Sequence, residues 1–319
     1  MEKVRVGVVG IGYLGSRHAR IYSGLEEAEL VGLCDSDPAK NVLSRKYRVP
    51  FYGDYRSLFG KVDAVSITVQ TEHHHRIAKE FLEQGIHTLI EKPMTRSVEE
   101  ADELLAIARQ KRCLIQVGHV ERFNSALQTI RPHVQSSYFI ECHRLGPFKG
   151  RSLDVGIVLD LMIHDIDIIL SLIPSPVKSI EAVGIPVLTE KEDIANARIS
   201  FQNGAAVNLT ASRLTSKTMR KIRIFSDKSY ISLNTFEQKA ERYWKEGDKI
   251  RMERVRVKIK EPLQEELASF VRSVLTKEKP LVSGEEGREA LRVALEIERL
   301  IRANPLWPSA QKTFALSSR

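Results

Sequence analysis

Over the first 119 residues, short β-branched runs alternate with longer amphipathic stretches, a pattern that predicts βαβ units and a parallel sheet. Strands are expected at Val4 to Val9, Leu30 to Cys34, Ala64 to Val69, His87 to Ile90 and Cys113 to Val117. Helices fall between them, around Ser16 to Ser23, Pro38 to Tyr47, His74 to Gln84 and Val98 to Gln110. Ser97 opens the last of these, with Glu100 three residues on, the signature of a capping box. This part of the chain reads as doubly wound α/β.

Beyond Gly118 the texture changes. A helix is expected near Ser125 to Val134, a strand near Ser137 to Arg144, and an apolar helix from Val158 to Leu172. From Val177 to Ile259 strand follows strand, with Gly, Asn, Asp and Ser at the joints, as in Gln202-Asn203-Gly204. That predicts a largely antiparallel second domain. Pro262 opens a closing helix, Leu263 to Leu275, and another runs from Gly284 or Glu285 to Arg302. The expected division is 1–119 for the doubly wound domain, 120–304 for the largely antiparallel domain whose closing helices can pack back on the first, and 305–319 for a C-terminal arm.

Composition narrows the class. With 319 residues, 42% hydrophobic and 28% charged, the chain is long enough for two cored domains and too balanced for disorder. The most apolar stretch, Val155 to Ile173, is broken by Asp160, His164, Asp165 and Asp167, which argues against a membrane span. Three widely spaced cysteines, Cys34, Cys113 and Cys142, encode neither a zinc cage nor a disulfide framework. With no apolar leader after Met1, a cytoplasmic protein is expected. Residues 213 to 260 carry 15 Lys and Arg against 6 Asp and Glu, a local +9 that accounts for the whole net charge of +8. Within it, Arg254, Arg256, Lys258 and Lys260 alternate as on one strand face. A solvated or oligomer-facing strand explains them better than a wall attracting phosphorylated substrate. Nucleic acid is not expected, since no reading helix, RNP-like motif or finger accompanies the charge.

Three constellations carry chemistry. Gly10-Ile11-Gly12-Tyr13-Leu14-Gly15 follows the first strand and opens the first helix, the context a GxGxxG turn needs to cradle a pyrophosphate at a helix N-terminus. Asp35, twenty residues after Gly15, stands where a carboxylate accepts from the adenosine ribose hydroxyls. It would repel a 2′-phosphate, so NAD is expected, with Arg17 and Lys40 keeping NADP open. Glu91-Lys92-Pro93 lies just past the fourth strand, at the carboxyl edge of the sheet where open α/β folds bind ligands. There Lys92 is either a crevice residue or a solvated loop lysine, and the proline invites a fixed turn, cis included.

The third is Asp160 and His164, at i and i+4 on one face of an apolar helix. A carboxylate that fixes one ring nitrogen leaves the other to take a proton near neutrality, although a structural polar pair would show the same spacing. Asp165 and Asp167 point to other faces, and successive residues His73, His74 and His75 cannot share an ion, so no metal is expected. Gly118-His119 to Asn124 follows the fifth strand, where Arg122 could hold an anionic group and Asn124 could bond hydroxyls or cap the next helix.

Together these segments, with Leu281-Val282-Ser283-Gly284-Glu285-Glu286-Gly287, resemble the glucose-fructose oxidoreductase and inositol dehydrogenase (Gfo/Idh/MocA) family over most of the chain. The resemblance implies an N-terminal Rossmann domain, a C-terminal α/β domain with a large open sheet, and dehydrogenation of a sugar or cyclitol hydroxyl. It implies that Lys92, Asp160 and His164 are catalytic, and that Thr71, His74 and Glu91 line the nicotinamide side. Met162 and Val69-Gln70-Thr71 depart from the motifs of many members, which puts the pocket's shape in question. On this reading His164 takes the hydroxyl proton, Asp160 orients it and Lys92 stabilises the developing alkoxide. The segment from Gly118 to Asn124 is similar in texture to members acting on nucleotide-linked sugars, UDP-N-acetylglucosamine leading. A free sugar, sugar acid or inositol is the alternative, as is a non-catalytic dinucleotide-dependent regulator. An open sheet must be covered, so a homodimer or homotetramer through it is expected.

Overall fold

A computed structural model describes residues 3–134, 139–148, 155–227, 229–305 and 307. It divides the chain into two compact units, one made of residues 1–128 and 258–292 and the other of 129–257 and 293–319.

The first unit carries β1 (Val4–Val9), α1 (Tyr13–Tyr22), β2 (Ala28–Cys34), α2 (Asn41–Tyr47), β3 (Phe51–Tyr52), β4 (Ala64–Ile67), α3 (Thr71–Glu83), β5 (His87–Glu91), α4 (Val98–Lys111) and β6 (Ile115–Gly118). Its sheet has the order β3-β2-β1-β4-β5-β6 and is parallel throughout. That order reverses direction between β1 and β4, the point at which such sheets open a crevice. The central strands read as near-continuous apolar runs because helices cover both faces. Every residue of β4 is buried. The short strand β3 was not expected; two residues are too few for a period to show. Ser97 Oγ accepts from Glu100 N at 3.3 Å, so the cap of α4 forms as its sequence predicts.

The domain boundaries differ from those expected. Within α5 (Ser125–Ile130), at Thr129, the chain passes into the second unit, and it returns at residue 258. Residues 258–292, assigned by sequence to the second domain with closing helices able to pack back on the first, group with the first unit. The reason is the apolar stripe of α7 (Pro262–Thr276), whose Leu267, Phe270 and Val271 join Val4, Val6, Ile21 and Tyr22 in one core. Val117 N donates to Val282 O at 3.1 Å, and Gln116 bridges Ser283, so this returning segment borders β6.

The second unit holds one eight-stranded sheet of order β14-β13-β12-β11-β7-β10-β9-β8. Its strands are β7 (Phe139–Leu145), β8 (Val177–Ile185), β9 (Ile194–Phe201), β10 (Ala206–Ser212), β11 (Met219–Phe225), β12 (Ser229–Asn234), β13 (Lys239–Glu246) and β14 (Lys249–Val255). All pairs are antiparallel except β7 with β10. One face is covered, with Ile140, Cys142, Leu209, Ile222 and Ile224 almost fully buried; α6 (Ile163–Leu172) follows a π-helical turn, Val158–Met162. The last helix, α8 (Gly284–Ala303), begins in the first unit and ends in the second. The expected row of four cations does not form: β14 ends at Val255 opposite Ala240, and only Arg254 of the four lies on it. The start of the predicted Ser137 strand, and most of the arm from 305 to 319, fall outside the described residues.

Candidate active site

The glycine turn is built by close approach. Gly10 has φ +87°, and a Cβ there would lie 2.7 Å from the Val69 side chain and 2.8 Å from its backbone nitrogen, so no other residue fits. A Cβ at Gly15 would lie 1.9 Å from the Gly10 carbonyl, which explains why the helix can start so near the strand. At Gly12, by contrast, no atom comes within 4 Å of that position, so the backbone there is open to a ligand. The helix α1 starts at Tyr13, three residues earlier than expected, and aims its N-terminal dipole at this opening.

Asp35 completes the cradle from the residue after β2. One carboxylate oxygen accepts from Ile11 N at 2.5 Å and the other from Asp37 N at 2.9 Å. It therefore fixes the turn as well as presenting a carboxylate just past the end of β2. A pocket of 390 Å³ beside it is lined by Ile11, Gly12, Tyr13, Ser16, Lys40 and Leu43. The Arg17 guanidinium lies 4.3 Å over the Tyr13 ring and donates to its hydroxyl at 2.5 Å. Leu14, at the same mouth, is partly exposed. An open backbone at Gly12, a helix N-terminus and an acid at the second strand's end fit an adenine dinucleotide with a free ribose 2′-hydroxyl.

At the edge of β5, Glu91 is buried, with its Oε1 3.2 Å from His18 Nε2 and its Oε2 accepting from Lys92 N at 3.2 Å. Gly118 on the neighbouring strand makes room: a Cβ there would sit 2.8 Å from Glu91 Oε2. The Lys92–Pro93 bond is cis. His74 ties this turn to the end of β4, its two ring nitrogens lying 2.9 Å from Pro93 O and 3.0 Å from Val69 O. Burial pushes His74 below its ordinary range against the pull of those carbonyls. His74, which the resemblance places along the nicotinamide side, is buried and braces the turn that carries Lys92. Thr71, half-buried, is the first residue of α3.

One buried histidine is missing from the sequence reading, and a second is named there without a role. His18 on α1 is fully buried against Glu91. Its signal was present as the eighth residue past Gly10, on the turn of α1 that faces the sheet. His119 is also fully buried, and burial, followed by the charges of Arg122 and Lys92, pushes it down to about 3. It is neutral at physiological pH.

Arg122 and Asn124, expected to touch substrate, have structural work in the first unit. Arg122 is 2% exposed and donates to Leu281 O at 3.1 Å and Glu286 Oε1 at 3.0 Å. Through Nη2 its guanidinium binds the start of α8 to the turn after β6. Asn124 Oδ1 accepts from Ala126 N at 3.1 Å and so caps α5, the alternative its position allowed.

In the second unit, Asp160 and His164 are half-buried, and the stretch between them is not a regular helix. Asp160 lies in the π-helical turn, while His164 is the second residue of α6. Both windings leave residues four apart on one face, and π turns recur at functional sites. Asp165 points elsewhere, to a buried bidentate pair with Arg144 at 2.7 and 2.9 Å. That pair anchors α6 to β7.

A crevice at the reversal of a doubly wound sheet, floored by an open glycine turn and edged by a held lysine, defines an NAD-dependent oxidoreductase. The family pattern described as "Oxidoreductase family, NAD-binding Rossmann fold" matches residues 4–119, and that of the GFO/IDH/MocA C-terminal domain matches residues 116–232. The chain belongs to the Gfo/Idh/MocA family. It is 32% identical to UDP-N-acetylglucosamine 3-dehydrogenase of Acidithiobacillus ferrooxidans over 95% of this chain and 99% of that one. The solved structure of that enzyme superposes with a TM-score of 0.90. Myo-inositol 2-dehydrogenase of Thermotoga maritima is 25% identical, over 90% of this chain and 93% of its own. Among the described residues, no helix is long and apolar enough to cross a membrane.

Proposed function

We propose that the protein oxidises a secondary hydroxyl of a nucleotide-linked sugar, UDP-N-acetylglucosamine, to its 3-keto form. The observation that carries this is likeness over nearly the full length of both chains to an enzyme of that name. Bound NAD supplies a hydride acceptor at its nicotinamide ring. Lys92, held by Glu91 and the His74-braced turn, offers its ammonium to the substrate oxygen as negative charge develops there. His164 takes the hydroxyl proton, and Asp160 sets the tautomer that leaves one ring nitrogen ready to do so. Two electrons and one proton leave the carbinol carbon as hydride, and the hydroxyl proton passes to His164.

The site of action proposed is the cytoplasm, supported by three cysteines that all stand as free thiols. A second copy of the chain is proposed to cover the open sheet face of the second unit. Phe139, Phe225, Tyr230 and Tyr243 form one cross-strand row there, with ring centroids 5.6, 4.9 and 5.3 Å apart. Met252, 51% exposed, extends that row at the edge.

Purified protein given NAD and UDP-N-acetylglucosamine should generate reduced nicotinamide absorbance. Turnover of myo-inositol or glucose with none of the nucleotide sugar would replace the substrate. No turnover of any of them, with NAD bound, would favour a regulatory role.

A further inference from the structure

Two carboxyl groups lie buried in the second unit, away from the groups assigned to chemistry. Glu192, just before β9, is 1% exposed, and Glu298, on α8, is 6% exposed. Their carboxyl groups lie within hydrogen-bonding reach of each other. Two ionised carboxylates cannot hold such a contact in an apolar interior, so a proton must lie between them.

Glu192 also grips the segment that leads into Asp160. Its backbone oxygen accepts from Ile157 N at 3.0 Å, and its carboxylate accepts from Val158 N at 3.3 Å. A Cβ on Gly156 would overlap that carboxylate at 1.8 Å, so the glycine is what lets the acid lie against the backbone. Gly156 O in turn accepts from Asp160 N at 3.0 Å. The neighbouring Arg213 donates to Val155 O at 3.3 Å, which holds the same segment from β10's end.

We propose that Glu192 and Glu298 share one proton and act as a positioning pair, fixing the π-helical turn that presents Asp160 and His164. The pair rests on the functional reading given above only for the identity of what it positions. The charged groups facing Glu298 among the described residues are Glu192 and Lys191 from the segment before β9, and Arg302, 3.6 Å away on its own helix. Burial, then the charge of Glu192, pushes Glu298 up to about 7, with Arg302 and Lys191 pulling the other way. The neighbouring Asp193 does not share in this: its carboxylate accepts from Val187, Leu188 and Thr189 nitrogens instead. When the shared proton leaves, Glu192 and Glu298 repel, and the carboxylate that holds Val158 N is displaced. The turn, and with it the alignment of His164, then loosens as pH rises.

Glu298→Gln tests this, because an amide keeps the donor to Glu192 and has no proton to lose. Melting temperature comes first, since it needs no substrate. A group whose folded pKa is raised is most stabilising below its unfolded value, and that advantage is lost as pH climbs through the folded one. The native chain should therefore lose several degrees relative to E298Q between pH 5 and 8. With NAD and UDP-N-acetylglucosamine, the ratio of E298Q to native kcat should rise roughly three- to tenfold from pH 6 to 8.5 with KM little changed. Glu298→Ala, which leaves Glu192 without its donor, should lose turnover at both pH values. A melting difference that does not vary with pH would overturn the shared proton. A pH-dependent melting difference with a flat kcat ratio would reduce the pair to a structural contact. Should the melting difference appear while no sugar is oxidised, the functional reading fails and the positioning role falls with it, the shared proton alone standing.

Discussion

Asp35 Oδ2 accepts a hydrogen bond from Ile11 N at 2.5 Å, so the acid expected to meet the ribose also fixes the glycine turn that meets the phosphates. The proposed ribose and phosphate contacts therefore both depend on one side chain. Replacing Asp35 by Ala removes a charge-assisted bond worth about 1.5–3 kcal/mol. NAD affinity, measured by calorimetry, should fall by roughly 10- to 100-fold. An unchanged Kd would show that the carboxylate contributes neither contact.

Lys92 is held in place by its neighbours. Glu91 accepts from its backbone nitrogen, and His74 braces Pro93. Lys92→Ala should lower kcat by roughly 100- to 1,000-fold, the usual cost of losing one donor to a developing oxyanion. NAD titration of the same variant should give a Kd within about threefold of native. Full turnover without the ammonium would remove Lys92 from the chemistry.

Arg122 separates a structural from a ligand-binding assignment. Its guanidinium is buried on Leu281 O and Glu286, so Arg122→Ala strands a carboxylate and a carbonyl at the start of α8. The loss should be about 3 kcal/mol, the low end for a broken buried pair, because Glu286 remains a third exposed and can rehydrate. Thermal melting should show it as a fall of several degrees, with the KM for sugar nearly unchanged. A KM that rises sharply in a protein of native stability would restore Arg122 to the substrate.

The aromatic row of the second unit leads to an assembly prediction. Met252 lies opposite Tyr243 in the register of β13 and β14 and is half exposed, so Met252→Glu should not disturb folding. If a second copy seats on this face, light scattering should show the native chain at a multiple of its 36.2 kDa and the variant shifted toward one copy. Equal masses would place any interface elsewhere.

What the sequence determined by itself is local or periodic. The run of β-branched residues at Val4–Val9 fixes a buried central strand, and Ser97 with Glu100 fixes the start of α4, because each depends on residues a few positions apart. The glycine turn and Asp35 were legible for the same reason: strand, turn and helix impose a spacing that survives without knowledge of the rest. His18, by contrast, gains its meaning from Glu91, seventy-three positions later, and no local pattern records that meeting. Arg122 reads as a cation at a sheet edge until Glu286, 164 residues on, is brought against it. The return of α7 to the first unit is settled in the same way. An amphipathic helix declares that it has an apolar face, and only the folded chain decides which core that face completes.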